Sequence, residues 1–333
     1  MISFLIQFTL LILNLFLLDK FIIFFTLKAN HLFLDKPDSR SMHEKPTITG
    51  TGIIILMSCI FCYGALFLFS QITSINETFL LKVIIISTPL SLLGFWDDYR
   101  SIKQSYRYLI QLLTGFSLLA TSNLFNINNF EISNYLLFFL IIFLLVLITG
   151  LINIVNFMDG IDGLVIGTFA IIFLALTLKV NMNYVYITSI LILFLRWNWN
   201  PAKVFIGDAG STFIGAIYAG SILASTNFLE SLSIFLMSMP LIFDTTFCLI
   251  WRLINGYNIF KAHKMHLYQR LVQGGLLHNQ VSYIYIGSVG FISFFFLVGN
   301  ILLELLAIII VLILGIYLHF NFAARLPKNR VDL

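Results

Sequence analysis

Long apolar runs broken by short polar clusters set the pattern of this chain. Apolar windows recur near 2–27, 51–70, 79–95, 106–122, 134–152, 164–180, 184–198, 211–226, 231–252, 279–298 and 301–320. A membrane-crossing helix needs roughly 20 such residues, so the pattern predicts an all-α polytopic membrane protein with about eleven spans. Polar loops fall near 28–50, 96–105, 153–163, 199–210 and 253–278. No internal repeat of inverted polarity and no low-complexity linker divides the chain, so 1–333 reads as one integral domain. The first apolar run is longer than a signal peptide's core and reads as a retained span. Asp19 and Lys20 fall inside it, placed to pair or to snorkel.

Composition agrees with the pattern. Hydrophobic residues make up 59% of the chain, including 35 phenylalanines, and charged residues only 10%, which excludes an ordinary soluble domain. With the N-terminus outside, sixteen of the nineteen Lys and Arg fall on the cytoplasmic side, all but Lys20, Lys82 and Lys179. The positive-inside rule therefore predicts N-out, C-in, with every polar cluster on the cytoplasmic face. The net charge of +4 reads as topology, and no nucleic-acid partner is expected. Cys59 and Cys62 form a C-x-x-C inside an apolar run and read, like Cys248, as inert buried thiols rather than redox or zinc ligands. Asn76-Glu77-Thr78 matches a glycosylation sequon.

Four clusters carry the chemistry. Carboxylates kept beside apolar spans are functional candidates because their desolvation is unfavourable. Asp97 and Asp98 are adjacent at a helix end, where a hard divalent cation would relieve their repulsion. Asn153, Asn156, Asp159 and Asp162 recur every three residues, too far apart in angle to share one helix face. The span should therefore end near Asn156, and a tight loop through Gly160 and Gly163 turn the two aspartates towards one site. Gly207, Asp208, Gly210 and Ser211 open a span, with Ser211 able to cap, at a helix start that favours anions. Asp208 would repel a phosphate there unless a metal bridged them. Asn198, Asn200, Pro201 and Lys203 precede it. His263 and His266 lie in the largest loop among basic residues including Arg252 and Arg270, suited to gripping a nucleotide diphosphate. Their spacing lacks the further Cys or His of a structural zinc site. Asp244, near Pro240 in an apolar span, faces either Arg252 as a structural pair or a substrate.

In order and spacing these clusters resemble the polyprenyl-phosphate N-acetylhexosamine-1-phosphate transferases, glycosyltransferase family 4. Its members start O-antigen, teichoic acid and enterobacterial common antigen on undecaprenyl phosphate, and the phospho-N-acetylmuramoyl-pentapeptide transferase is more distant. Leu34-Asp35-Lys36-Pro37 through Arg40, His43 and Pro46 looks like the family's first cytoplasmic loop. The Asp-Asp, N-x-x-N-x-x-D-G-x-D-G-L and F-x-G-D-x-G-S motifs follow, so the likeness covers most of the chain. It implies transfer of a sugar-1-phosphate from a UDP-N-acetylhexosamine to polyprenyl phosphate, with UMP released, at the inner membrane, and it leaves a homodimer open. It also implies Mg²⁺ (or Mn²⁺) on Asp97, Asp98 and Asp208 with Asn156 close by, while Asp159 and Asp162 position or deprotonate substrate. His43, Asn153, Lys203, Gly207, Gly210, Ser211, Arg252, His263, His266 and Arg270 would contact nucleotide sugar or lipid phosphate. Many relatives carry an H-L-H-H-R-like run where this chain reads His266-Leu267-Tyr268-Gln269-Arg270, a variant that looks like the O-antigen-initiating branch.

Two rival classes fit less well. A transporter would gather its polar groups near mid-membrane between repeats. A CDP-alcohol phosphotransferase would need D-G-x-x-A-R, whereas Asp159-Gly160 leads into Ile161-Asp162-Gly163.

Overall fold

The structure, a computed structural model, describes residues 2–28, 32–37, 42–43, 45–69, 78–122, 134–225, 227–259, 261 and 263–327. Asn76 of the sequon and Arg40 of the first-loop pattern lie outside these residues. The helices are α1 (Ile2–Lys28), α2 (Gly52–Leu68), α3 (Thr78–Tyr99), α4 (Gln104–Ala120), α5 (Asn134–Met158), α6 (Leu164–Lys179) and α7 (Val185–Asn198). They continue as α8 (Gly207–Ala224), α9 (Phe228–Leu236), α10 (Met239–Ile254), α11 (Leu267–Gln273), α12 (His278–Val298) and α13 (Ile301–Asn321).

Each apolar window falls on one of these helices or on the bent pair α9–α10. Among the described residues, five helices are long and apolar enough to cross a membrane, and six if the pair, bent by 68°, is one span. The five are α1, α3, α5, α12 and α13. The other windows lie on helices of 14 to 18 residues, short of the usual spanning length. The break before α10 falls at Ser238, with Pro240 in the first helical turn, where a missing N–H is tolerated. Phe8, Phe16 and Phe24 on α1, Phe138 and Phe143 on α5, and Ile313 and Phe320 on α13 are exposed. An apolar surface of that extent suits lipid, not water. Asp19 is accounted for: it accepts a 3.0 Å hydrogen bond from Trp197 Nε1 on α7.

The fold is not purely α. β1 (Leu34–Asp35) and β2 (Thr47–Ile48) pair antiparallel. Ile48 bridges to Val204, and its carbonyl accepts from the Phe205 amide at 2.7 Å. The apolar-window pattern misses such a pairing because two-residue strands carry no periodic signal. Its effect is to lock the first polar loop onto the segment entering α8.

At the centre stand α6 and α8, buried over most of their lengths. The α8 sequence, GDAGSTFIGAIYAGSILA, is rich in Gly, Ala and Ser, which lets neighbouring backbones approach closely. A Cβ on Gly52 of α2 would lie 2.2 Å from the Gly210 nitrogen, and one on Gly94 of α3 would lie 2.5 Å from the Asp208 carbonyl. These two contacts set the crossings of α2 and α3 over α8.

Gly52→Val should therefore destabilise the protein by about 3 kcal/mol or more, because it drives side chain into backbone. Gly64→Ala, on the same helix with open space around its Cβ, should be neutral or stabilising by about 0.5–1 kcal/mol. Thermal unfolding of both variants in detergent checks the contrast.

Candidate active site

The polar clusters meet at one end of the bundle, and the α3–α8 crossing organises them. The Asp98 carboxylate accepts from the amides of Asp208 at 3.1 Å and Ala209 at 3.2 Å. Helix starts present unpaired N–H groups and partial positive charge, so a carboxylate is well placed there. Gly207 makes this fit: its φ is +64°, and a Cβ would sit 2.4 Å from the Asp98 oxygen. The α8 start is thus occupied by the protein's own carboxylate. Ser211 is not its cap, because the helix begins at Gly207 and Ser211 falls in the second turn. Its hydroxyl lies 2.9 Å from both Asn156 Oδ1 and the Gly207 carbonyl oxygen. Gly210 serves the α2 crossing.

A polar cavity of about 470 Å³ opens beside this crossing. Asp97, Arg107, Gln111, Asn153, Asn156 and Asp208 line it, and Lys261, His263, His266 and Gln269 come from the α10–α11 connection and α11. Arg107 on α4 pairs with Asp97 and, at 2.7 Å through Nη1, with Asp208. Asp97 also accepts from the Ile102 amide at 2.6 Å. Gln111 and Asn153 exchange reciprocal 3.0 Å amide bonds across α4 and α5. One guanidinium between two carboxylates marks a place where a cation rests.

The two aspartates after α5 part company. Asp159 leaves the helix end next to the carboxylate group. Burial, then the charges of Asp208 and Asp162, push its carboxyl well above the ordinary carboxylate range. Asp162 turns the other way. It accepts from Asn200 Nδ2 at 2.8 Å and the Ala202 amide at 3.1 Å, with His278 Nδ1 at 3.5 Å. Burial opposes its charge, but these partners hold its carboxyl below the ordinary range. The loop therefore leaves one aspartate beside Asp208 and uses the other to clamp the 199–202 turn and α12. The expected convergence of both on one site is corrected: Asp162 is taken up by Asn200, the Ala202 amide and His278, and the chain then enters α6 through the αL residue Gly163, φ +75°.

The histidine loop is built by Asp244, which accepts from the amides of Leu267 at 2.5 Å and Tyr268 at 3.1 Å and from the Tyr285 hydroxyl at 2.6 Å. It is a structural anchor at the α11 start, and Arg252 is not its partner. Arg252 donates to the carbonyls of Lys261, at 2.9 Å, and Asn258. Arg270 donates to the carbonyls of Met265 and Ala324 at 3.1 Å and meets His319 Nδ1 at 2.8 Å. Both guanidiniums are buried and bind backbone, so the structure does not bring Arg252 or Arg270 into the cavity. Nor does it bring Lys203, whose ammonium sits 5.4 Å from the Trp197 ring centre, or His43, which packs on Phe205 3.7 Å from Asp35. Tyr268 fastens the two active loops together, donating to the Phe157 carbonyl at 3.0 Å over Gly160.

Arg107, Gln111 and Lys261 are the cavity residues that reading by motif passes over. Arg107 was legible only as loop charge, although its place ten residues beyond Asp97 at the start of an apolar helix is a usable signal. Among the described residues the carboxylates do not gather as a three-ligand cluster, and both Asp98 oxygens face amides. Asp97 and Asp208, with Asn156 alongside, are the oxygen donors at the cavity; the set suits a hard divalent cation, which would take the place that Arg107 holds between the two carboxylates.

A multi-pass helical membrane protein with two carboxylates, a guanidinium, a lysine and two histidines lining one cavity defines the class. A glycosyl transferase family 4 model matches residues 80–226. The chain is 30% identical over 280 residues to a probable undecaprenyl-phosphate N-acetylglucosaminyl 1-phosphate transferase of Bacillus subtilis, covering 78% of this chain and 75% of that one. It is 25% identical over 299 residues to the decaprenyl-phosphate N-acetylglucosaminephosphotransferase of Mycobacterium tuberculosis, covering 77% and 73%. A phospho-N-acetylmuramoyl-pentapeptide-transferase of Prochlorococcus marinus is 29% identical over 236 residues, covering 62% and 64%. The chain belongs to this family of polyprenyl-phosphate sugar-1-phosphate transferases.

The raised Asp159 makes a signed prediction. Above its folded pKa the ionised carboxylate destabilises the folded state, and below the ordinary value of about 3.9 it is protonated in both states. Asp159→Asn should therefore unfold at a higher temperature than wild type at pH 8, with the gap closing as pH falls towards 4. A lower or equal unfolding temperature at pH 8 would contradict the assignment.

Proposed function

We propose that the protein transfers a sugar-1-phosphate from a UDP-N-acetylhexosamine to undecaprenyl phosphate, releasing UMP and leaving a polyprenyl-diphosphate sugar in the membrane. The product would begin O-antigen or a related surface polysaccharide. The observation that carries this reading is the cavity itself, with Asp97 and Asp208 sharing Arg107 beside Lys261, His263 and His266. Two phosphorylated reactants need such a mixture of carboxylates for a metal and cations for phosphate oxygens. Eleven spans, N-out and C-in, would set this cavity on the cytoplasmic face of the inner membrane, where UDP-sugars are.

Asp97 and Asp208, with Asn156 alongside, would hold Mg²⁺, or Mn²⁺ in its place. The ion would supply charge neutralisation for the diphosphate. Asp98 acts one step back, fixing Asp208 through the α8 amides. A lipid phosphate oxygen forms the new bond to the sugar-bearing phosphorus as the bond to UMP breaks, and the electron pair leaves on the UMP oxygen. A phosphate monoester with a second pKa of about 6 is largely ionised at neutral pH, so attack needs no general base. Arg107 and Lys261 then stabilise charge on the oxygens in flight. His263 and His266 donate from the other wall. Asp159, whose carboxyl is pushed up by burial and by Asp208, would order the loop after α5.

Purified protein given undecaprenyl phosphate, Mg²⁺ and a panel of UDP-GlcNAc, UDP-FucNAc and UDP-QuiNAc should release UMP from one donor, and EDTA should stop it. Asp208→Asn and Arg107→Ala should each lower turnover by about 10²–10³-fold, the size of effect when one group that stabilises the transition state is lost. Wild-type UMP release by Asp208→Asn would sink the reading.

A further inference from the structure

The sequence leaves His263 and His266 without a third soft ligand, and the fold supplies one from α10. Cys248 Sγ and a ring nitrogen of each histidine lie within 4.8 Å of one another. No other three His, Cys, Asp or Glu side chains among the described residues form such a group. We infer that Cys248, His263 and His266 form a binding site for a thiophilic divalent cation of the Zn²⁺ class, separate from the oxygen donors Asp97 and Asp208.

The donor set decides the class of ion. One thiol and two imidazoles suit zinc or its soft neighbours, whereas magnesium takes oxygen ligands. Cys248 is a free thiol, buried against the loop. His266 is 3% exposed, and its Nδ1 has no hydrogen-bond partner. Asp244 Oδ1 stands 3.7 Å from that nitrogen. A carboxylate behind a ligating imidazole fixes its tautomer and raises its basicity, and closure of this contact leaves Nε2 as the ligand atom. Asp244 is itself held by the Leu267 and Tyr268 amides and the Tyr285 hydroxyl, so the support is rigid.

His263 is the adjustable member. It sits half-buried in the α10–α11 connection, its ring centre 4.9 Å from that of His266. Its Nδ1 receives only a long 3.3 Å bond from the Met265 amide, which a change of ring orientation would release. Zinc bonds of about 2.3 Å to sulfur and 2.0–2.1 Å to nitrogen put tetrahedral ligand atoms about 3.5 Å apart, so the loop needs to close by no more than about 1 Å. Both histidines line the cavity, so a fourth position faces solvent, as three-ligand zinc sites require. Arg252, one turn further along α10, turns its guanidinium to the Lys261 and Asn258 carbonyls. Occupancy would pin the loop to α10 and withdraw both histidines from phosphate.

The test uses the full-length protein in detergent, stripped with chelator and titrated with Co²⁺ as a spectroscopic substitute. One equivalent should bind with a sulfur-to-cobalt charge-transfer band and the intense visible bands of tetrahedral cobalt, and Zn²⁺ should displace it. Cys248→Ser should abolish the charge-transfer band. His263→Ala, a loop substitution that leaves the buried core intact, should weaken Co²⁺ binding by at least tenfold, since even an outer partner of a metal ligand is worth about 10–100-fold. Wild-type protein without a charge-transfer band at saturating Co²⁺ overturns the assignment. So does a band that His263→Ala leaves unchanged in intensity and affinity.

Discussion

Everything at the active end depends on one half-buried carboxylate meeting one helix start. Asp98 accepts from the first amides of α8, and the contact exists only because Gly207 and Gly94 offer no Cβ where the two helices touch. A charge in such a place needs hydrogen bonds aimed at it, and the helix start provides them. The same contact fixes the neighbouring Asp208, whose side chain emerges into the cavity towards Arg107. Helix packing and active-site geometry are therefore one constraint.

Around that constraint the acids divide into two kinds. Asp97 and Asp208 face the cavity. Asp98, Asp162 and Asp244 face backbone amides and hold, respectively, the α8 start, the 199–202 turn and the α11 start. The second kind is scaffold made of charge, each member worth its place because it satisfies several donors at once. Tyr268 then joins the Asp159 loop to the histidine loop, so the two walls of the cavity are set by one hydroxyl.

The clusters, the helices and the crowding of chemistry at one end were legible from the spacing of polar residues along apolar runs. Direction was not. A motif gives a residue's type and depth, yet of Asp159 and Asp162, three apart, one lies beside Asp208 and the other is held by Asn200, the Ala202 amide and His278. Arg252 and Arg270 look like phosphate ligands in one dimension, and in three their donors are spent on carbonyls of the loops they organise. Arg107 shows the converse: its partner Asp208 is 101 residues away, beyond any local pattern. Cys248 sits inside an apolar helix and gains meaning only when the loop after α10 folds back on it.

The glycine crossings also imply two evolutionary clocks within one chain. Along α1 and α13 the exposed leucines, isoleucines and phenylalanines need only be greasy and of the right total length, so that outer shell is free to drift. At Gly52, Gly94 and Gly207 no other side chain fits beside the backbone or carboxylate it would strike. Variants of this protein would thus diverge fastest where they meet lipid and slowest where three missing methyl groups hold the cavity open.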